Sequence, residues 1–146
     1  MERMEATKLI MEAKQSRKLS WEEIAKYVGG HPVWVASALM GQNSMTAEQA
    51  KKAAELLGLP EEVEQALQVC PMKGTDTIVP TDPLIYRFYE IMQVYGGTIK
   101  EIIHEKFGDG IMSAIDFTMD IQKEENPHGD RVVVTLNGKF LPYKKW

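Results

Sequence analysis

Apolar residues recur every three or four positions through the first 70 residues, which is the spacing of a helix that buries one face. In the segment "ATKLIMEAKQSRK", Leu9, Ile10 and Ala13 fall on one side, followed less well by Arg17. Four further segments with helical character follow, separated by turns of two to four residues. The pattern predicts five short helices packed around one core.

Local residue choices mark where several of these helices begin and end. Ser20 followed by Glu23 has the spacing of a capping box, in which each side chain bonds the backbone amide of the other residue. Thr46 followed by Gln49 repeats that spacing. The glycines at 29–30 are expected to end the helix that Ser20 begins.

The segment "LSWEEIAKYVGGHPVWVASALMG" resembles the helix-turn-helix of phage repressors. Proteins that read DNA place Arg, Lys, Asn or Gln on the second helix, where they meet base edges and phosphates. Residues 31–40, the second helix here, contain none of these. The sequence therefore favours a helical scaffold. The alternative is a helix-turn-helix transcriptional regulator with a C-terminal oligomerisation module.

The stretch "PMKGTDTIVPTDP", residues 71–83, has three prolines and no helical period, and is predicted to be a linker. Two helical segments are expected after it, at 84–95 and 98–107, before the glycines of "GDG" stop the helix. The predicted core stripe of the first segment consists of Phe88, Ile91, Met92 and Tyr95.

Beyond the glycines, the apolar period changes to about two residues, which is typical of strands. Apolar and polar residues alternate from Ile115 to Ile121, and Asn137-Gly138 lies between two apolar runs, as in a tight hairpin. The C-terminal part is therefore predicted to end in a three-stranded antiparallel meander. Because so thin a sheet buries little apolar surface, oligomerisation through this part is expected.

Together these elements predict an α+β protein. Residues 1–70 are predicted to form a five-helix bundle of the repressor type, and residues 71–83 a linker. Residues 84–146 are predicted to form a small helix-plus-antiparallel-β domain that carries the oligomer contacts.

Composition excludes several classes of protein. No apolar run approaches the roughly 18–20 residues that cross a bilayer, and the acidic N-terminal segment lacks the apolar core of a secretory signal. Cys70 is the single cysteine and cannot form an intramolecular disulfide, so a reducing, cytoplasmic location is expected. No membrane partner is expected.

The charge is mildly acidic and evenly spread, with a net value of -4. Residues 1–79 hold 9 basic and 11 acidic side chains, and residues 80–146 hold 8 and 10. Neither part has the basic footprint that nucleic-acid binding normally requires, so no nucleic-acid partner is expected.

An arginine and a glutamate stand out on the apolar segment "LIYRFYEIMQVY". Arg87 and Glu90 are three residues apart, so their charged groups can touch on one face of a helix. The pair is either a solvated ion pair worth about 0.3–0.5 kcal/mol or part of an anion site. Ser113 follows a glycine-flanked turn, where a hydroxyl and backbone amides can bind an anion.

Other side chains carry weaker signals. The three histidines are scattered, and no Cys, His or carboxylate spacing resembles a metal site. His104 is expected to be a solvated helix residue and Cys70 a core residue. No nucleophile elbow, phosphate loop or dinucleotide fingerprint is present.

The run "PTDPLIYRFYEIMQVYGGTIKEIIHEKFGDGIMSAIDF", followed by "DRVVVTLNGKFLPY", resembles the cyanase (cyanate hydratase) family almost continuously over residues 80–143. The helical segment "LSWEEIAKYVGGHPVWVASALMGQ" resembles it more loosely. The resemblance implies a lyase that joins cyanate to bicarbonate, giving carbon dioxide and carbamate, which decays to ammonia and more carbon dioxide. It implies no metal or organic cofactor, with bicarbonate as co-substrate. It also implies a homodecamer of five intertwined dimers, with active sites between dimers.

By the same resemblance, the catalytic residues of the family fall on Arg87, Glu90 and Ser113, with backbone groups at Ala114 and near Leu141 in the anion site. A guanidinium fork suits carboxylate-like anions, and the serine hydroxyl and nearby amides can hold cyanate. Two roles stay open for Glu90: it orients Arg87, or it carries the proton that passes to the product nitrogen.

Overall fold

The computed structural model describes residues 1–74 and 77–146, and the chain divides into two compact units, the first ending at Gly74. Five helices make the first unit, and one long helix and an antiparallel hairpin make the second, so the predicted α+β class is confirmed. No helix in the described ranges combines the length and the apolar character that a membrane crossing needs. The elements are α1 (Arg3–Ser16), α2 (Trp21–Val28), α3 (Pro32–Leu39), α4 (Ala47–Leu57), α5 (Glu61–Gln68), α6 (Pro83–Phe107), β1 (Gly110–Glu124) and β2 (Arg131–Pro142).

Both predicted capping boxes are present. Ser20 Oγ accepts a hydrogen bond from Glu23 N at 3.1 Å, and Ser20 N donates to the Glu23 carboxylate at 2.7 Å. Thr46 and Gln49 make the same reciprocal pair at the start of α4. These bonds satisfy backbone amides that have no partner within the helix, so they fix where α2 and α4 begin.

Aliphatic side chains from all five helices form the core of the first unit. Burying one such side chain stabilises the fold by roughly 1.5–3 kcal/mol, so this cluster supplies most of the driving force for the unit. Its largest fully buried members are Ile10, Ile24, Val28, Val35, Leu39, Leu57, Val63 and Leu67.

Arg3 links the C-terminal ends of two helices in this unit. Its Nη1 donates to the carbonyl of Ala66 at 2.6 Å, and its Nη2 donates to those of Ala38 at 2.6 Å and Asn43 at 2.7 Å. Ala38 and Ala66 lie in the last turns of α3 and α5, where carbonyls lack helical partners and a cation is favoured. Burial lowers the pKa of Arg3, and its Nε is buried without a partner among the described residues.

The predicted linker at 71–83 begins as an ordered segment. Gly74 N donates to Gln42 Oε1 at 2.8 Å, and Lys73 Nζ donates to Asn43 Oδ1 at 2.7 Å. Residues 75 and 76 lie outside the described residues, so the division into 1–70, 71–83 and 84–146 stays a prediction. Cys70 was predicted to be a core residue, but it is exposed because it follows the end of α5.

In the second unit, one continuous helix, α6, replaces the two predicted segments. It passes through the glycines at 96–97, which were expected to separate them. Glycine weakens a helix by about 1 kcal/mol per residue but keeps its N–H, so unlike proline it does not interrupt the hydrogen bonding. Asp82 caps the start of α6, where its carboxylate accepts from Leu84 N and Ile85 N at 3.0 Å each.

The predicted core stripe of α6 is not buried within the chain. No residue of α6 is buried, because the helical period identifies an apolar face but not the surface that covers it. The four stripe residues are 44–55% exposed: Phe88, Ile91, Met92 and Tyr95.

The sheet has two strands, and the predicted three-stranded meander is wrong. β1 and β2 pair antiparallel from Gly110 opposite Pro142 to Glu124 opposite Arg131, with one irregularity between Met112 and Phe117. Asn137-Gly138, the predicted tight turn, lies inside β2. The apolar run before this dipeptide and the one after it therefore belong to one strand.

The turn between the strands is built at residues 125–130. The carbonyl of Asn126 accepts from Gly129 N at 3.0 Å, and its side-chain oxygen accepts from His128 N at 2.9 Å. Gly129 has φ 122°, a conformation that favours glycine. An Asn side chain that bonds two residues ahead mimics a backbone turn, so this segment reverses the chain.

Candidate active site

Arg87 and Glu90 lie near the N-terminal end of α6 and form an ion pair, as their spacing predicts. Arg87 Nη1 is 3.6 Å from Glu90 Oε2, and the two side chains are 68% and 48% exposed. A pair this exposed contributes little to stability in water. The guanidinium keeps donors available for a further anion, because Arg carries five N–H groups.

Ser113 lies in a four-residue bulge of β1. The pairing passes from Met112 opposite Phe140 to Phe117 opposite Gly138, so residues 113–116 face Lys139 alone. Bulges of this kind occur next to active sites, where they redirect a side chain out of the regular pleat.

The bulge folds around the hydroxyl of Ser113. Ser113 Oγ accepts hydrogen bonds from Ile115 N at 3.1 Å and Asp116 N at 2.9 Å. A hydroxyl has two acceptor sites and one proton, so both acceptor sites are filled and only the proton is left to donate. No described residue accepts that proton. The side chain is 8% exposed, and Ser113 is the one buried polar residue in the described part of the chain.

This arrangement changes which backbone amides can bind an anion. The amides of Ile115 and Asp116 already donate to Ser113 Oγ. The amide of Ala114, which the sequence places in the predicted anion site, does not donate to Ser113 Oγ. Leu141 lies at the same end of the hairpin, paired with Ile111, two residues before Ser113.

His104 is not the solvated residue predicted from its position on a charged helix. Its side chain is 22% exposed, and its Nδ1 is 3.7 Å from Asp109 Oδ1. Its Nε2 is 3.0 Å from the carbonyl of Gly110, the first residue of β1. His104 therefore connects the C-terminal end of α6 to the strand that carries Ser113. The glycine-flanked turn that follows α6 could have indicated these contacts, because it brings the chain back onto the end of the helix.

An open groove of about 360 Å³ lies beside His104, between α6 and the start of β1. None of the five predicted site residues lines it, so it is not the anion site predicted from the sequence. Its lining residues are Gly96, Ile99, Lys100, Ile103, His104, Gly110, Ile111, Met112 and Tyr143.

The predicted site residues form two groups within one chain. Arg87 precedes His104 by 17 positions, about 25 Å along a helix axis. Ser113 lies three residues beyond Gly110, at most about 10 Å of strand. Even a strand that ran straight back along α6 would leave roughly 15 Å between the backbones of Arg87 and Ser113 along the helix axis. The arginine and the serine are therefore well separated along α6 within one chain.

Comparison with known protein families identifies the chain. Residues 3–71 match the family described as Cyanate hydratase, N-terminal, and residues 77–145 match the Cyanate lyase C-terminal domain. This chain belongs to the cyanate hydratase family. The family predicted from the sequence is thereby confirmed.

Individual relatives agree over the whole length. The cyanate hydratase of Teredinibacter turnerae is 59% identical over 146 residues, covering all of both chains. That of Marinomonas sp. is 55% identical, again over all of both chains. The crystal structure of cyanase from T. urticae has a TM-score of 0.84 and 42% identity, covering 94% of this chain and 96% of that one.

One residue beside the Ser113 bulge was wrongly predicted from the sequence of this cyanate hydratase family member. Gly138 was interpreted as part of a turn, but it lies in β2 beside the bulge. A glycine inside a strand often marks a close backbone approach, and that rule could have identified it.

Proposed function

We propose that this protein is a bicarbonate-dependent cyanate hydratase that converts cyanate to carbamate and carbon dioxide. The carbamate then decays to ammonia and a second carbon dioxide. The observation that carries this function is the match to cyanate hydratases over the full length of the chain, at 59% identity in one relative. The donor-only hydroxyl of Ser113 supports the site.

Both substrates are anions, so the site must first bring like charges together. Arg87 supplies a fixed positive charge and a fork of donors for a carboxylate-like ion. An oxygen of bicarbonate attacks the carbon of cyanate, and the adduct carries two negative charges. Cleavage of the C–O bond on the bicarbonate-derived side releases carbon dioxide and leaves the carbamate skeleton. No protein nucleophile is required.

Ser113 is set up to stabilise that charge. Its two acceptor sites are occupied by the amides of Ile115 and Asp116, so it presents a proton to the substrate. A donor held in place before the reaction does not have to reorganise as charge develops, which is the most effective form of electrostatic catalysis. The amide of Ala114 and the backbone near Leu141 complete this side of the site.

Protons also have to be balanced. Bicarbonate brings one proton, carbamate with its NH₂ group carries two, and the second is taken up during turnover. Glu90, beside Arg87, is the acidic group placed to transfer a proton. Its other possible role is to orient the guanidinium of Arg87.

The protein is proposed to act as a homodecamer built from five dimers. The apolar stripe of α6 is exposed in the single chain, and exposed apolar surface of this kind is covered by other subunits. The roughly 15 Å between Arg87 and Ser113 gives a chemical reason as well. Subunits that pair around the site supply the missing group and exclude water, which strengthens each charge contact.

A cytoplasmic location and independence from nucleic acid remain predictions. The regulator alternative needs a second helix that reads DNA, and α3 with the sequence "PVWVASAL" contains no Arg, Lys, Asn or Gln, the residues that make most base and phosphate contacts. It is therefore not favoured.

The direct test mixes the purified protein with cyanate in carbon-dioxide-free buffer and follows ammonia release with and without bicarbonate. We expect ammonia only when bicarbonate is present. Arg87→Ala should reduce the rate by roughly 10²-fold or more, the scale for removing one preorganised donor. Lys100→Ala, on the same helix, is the matched control. Turnover that does not depend on bicarbonate would contradict the proposal.

A further inference from the structure

Gly138 lies against the bulge that carries Ser113. A Cβ atom at this position would lie 2.5 Å from the carbonyl oxygen of Ser113 and 2.5 Å from Met112 Cγ. Real Cβ atoms do not approach other heavy atoms this closely. The main conflict is with backbone, which cannot move aside as the end of a side chain can.

The requirement for glycine here is spatial and not conformational. Gly138 is not among the glycines with positive φ, so an alanine could adopt its backbone angles. The site needs the space that a side chain at this position would occupy. It lets residues 113–116 fold close to β2, where the amides of Ile115 and Asp116 reach Ser113 Oγ.

We propose that Gly138 is a positioning residue for the reaction: its bare α-carbon lets the bulge close and hold the Ser113 hydroxyl as a donor. The proposal rests on the proposed function for the role of Ser113. A side chain at 138 pushes the Ser113 backbone outward by some tenths of an ångström. A displaced donor loses much of its effect, since a shift of about 1 Å can reduce a rate by about 10²-fold.

The first test is a double-mutant cycle on the full-length protein. Gly138→Ala, Ser113→Ala and the double variant are compared with the parent for kcat and KM with cyanate. We expect Gly138→Ala to lower kcat about 10–100-fold and to have little further effect when Ser113 is already alanine. If the two substitutions lower kcat independently, so that their factors multiply in the double variant, the proposal is overturned, because Gly138 would then not act through Ser113. Unchanged kcat in Gly138→Ala would overturn it as well.

Gly129→Ala is the matched control. Gly129 has φ 122°, so alanine strains the turn of the same hairpin, but no atom lies within 4 Å of its added Cβ. We expect Gly129→Ala to lower thermal stability and to leave kcat within about twofold. A loss of kcat equal to that in Gly138→Ala would show that any weakened hairpin inactivates the enzyme, against the proposal.

A second readout does not depend on activity. Hydrogen exchange measured by mass spectrometry reports the amides of Ile115 and Asp116, which are protected when they bond Ser113 Oγ. We expect faster exchange at both in Gly138→Ala and not in Gly129→Ala. Unchanged protection overturns the inference whatever the rates are. If Ser113→Ala keeps full activity while this exchange still increases, the proposed catalytic role of Ser113 fails but Gly138 is still what holds the bulge.

A further variant covers poor folding of Gly138→Ala. Met112→Ala removes the side-chain conflict, so the double variant Met112→Ala/Gly138→Ala retains only the conflict with the carbonyl of Ser113. We expect it to fold better and still to show the loss of kcat relative to Met112→Ala alone. Full recovery of kcat would show that Ser113 is not displaced, and would overturn the proposal.

Discussion

Two inactive variants of this enzyme should restore activity to each other when their subunits assemble together. Arg87 and Ser113 are separated by roughly 15 Å or more within one chain. We therefore expect a working site to take the arginine from one subunit and the serine from another. In a mixed assembly, an Arg87→Ala subunit can still supply Ser113, and a Ser113→Ala subunit can still supply Arg87.

The expected recovery follows from counting subunits. Each variant alone should keep about 1% of the activity or less. If equal amounts assemble at random, the chance that a site draws both groups from intact positions is about one quarter, since each choice succeeds half the time. A site that uses two arginines from different subunits should recover about one eighth. The recovered fraction therefore reports how many chains build the site.

The assay unfolds the two variants together, refolds them, and measures ammonia release from cyanate and bicarbonate. Native mass spectrometry establishes that mixed assemblies have formed. Mixing the variants after assembly is the control, and it should give no recovery as long as subunits do not exchange. Activity that stays near 1% in proven mixed assemblies would refute the reasoning, because the arginine and serine would then have to come from the same chain.

Three further variants test single contacts. Glu90→Gln should be as inactive as Glu90→Ala, as judged by kcat, because a separation of 3.6 Å orients Arg87 weakly and an amide cannot carry the proton; a Gln variant near parental activity would favour the orienting role. Arg3→Lys should destabilise the first unit by about 2 kcal/mol in urea unfolding followed by tryptophan fluorescence, because the three donors of an ammonium share one nitrogen and cannot span, as the guanidinium does, carbonyls at two helix ends and one in a loop; no loss would mean that water supplies the missing hydrogen bonds. Hydrogen bonds from the Ser20 backbone and side chain lower the pKa of Glu23 below its ordinary 4.5, so its stabilising effect is present above that value and is lost as the pH falls through the lowered pKa. Glu23→Gln should therefore lose less stability than the parent over that acid range in thermal unfolding, and identical pH profiles would contradict this.

Where the sequence predicted structure well, the decisive interactions are local. The capping boxes at Ser20 and Thr46 each depend on residues three positions apart, so their spacing predicts them. The contact between Arg87 and Glu90 follows from helix geometry in the same way. The family could be recognised for another reason: a long continuous segment matched known cyanases.

The errors share a different cause. Asn137-Gly138 has the residues of a tight turn, but it is extended because it pairs with Thr118 and Phe117 of β1, next to the bulge. Turn-forming residues occur at both 126–129 and 137–138, and the pairing of the strands decides which segment makes the turn. His104 is similar, since its partner is the carbonyl of Gly110, a backbone atom that no side-chain pattern reveals. Contacts to backbone atoms leave little trace in the periodicity of side chains.

The two halves of the site differ in how they are prepared for the reaction. The serine half is complete within one chain, because the bulge, the two amides and the glycine opposite them fix the hydroxyl before any substrate binds. The arginine half is an exposed ion pair in the single chain, and charges in water attract anions weakly. In the proposed homodecamer, we expect another subunit to cover that pair, which lowers the local dielectric and brings a serine within reach. Assembly would then complete the electrostatic half of the site, and the fold of each chain the geometric half. On this proposal, the apolar stripe that α6 leaves exposed is the surface along which another subunit encloses the arginine half.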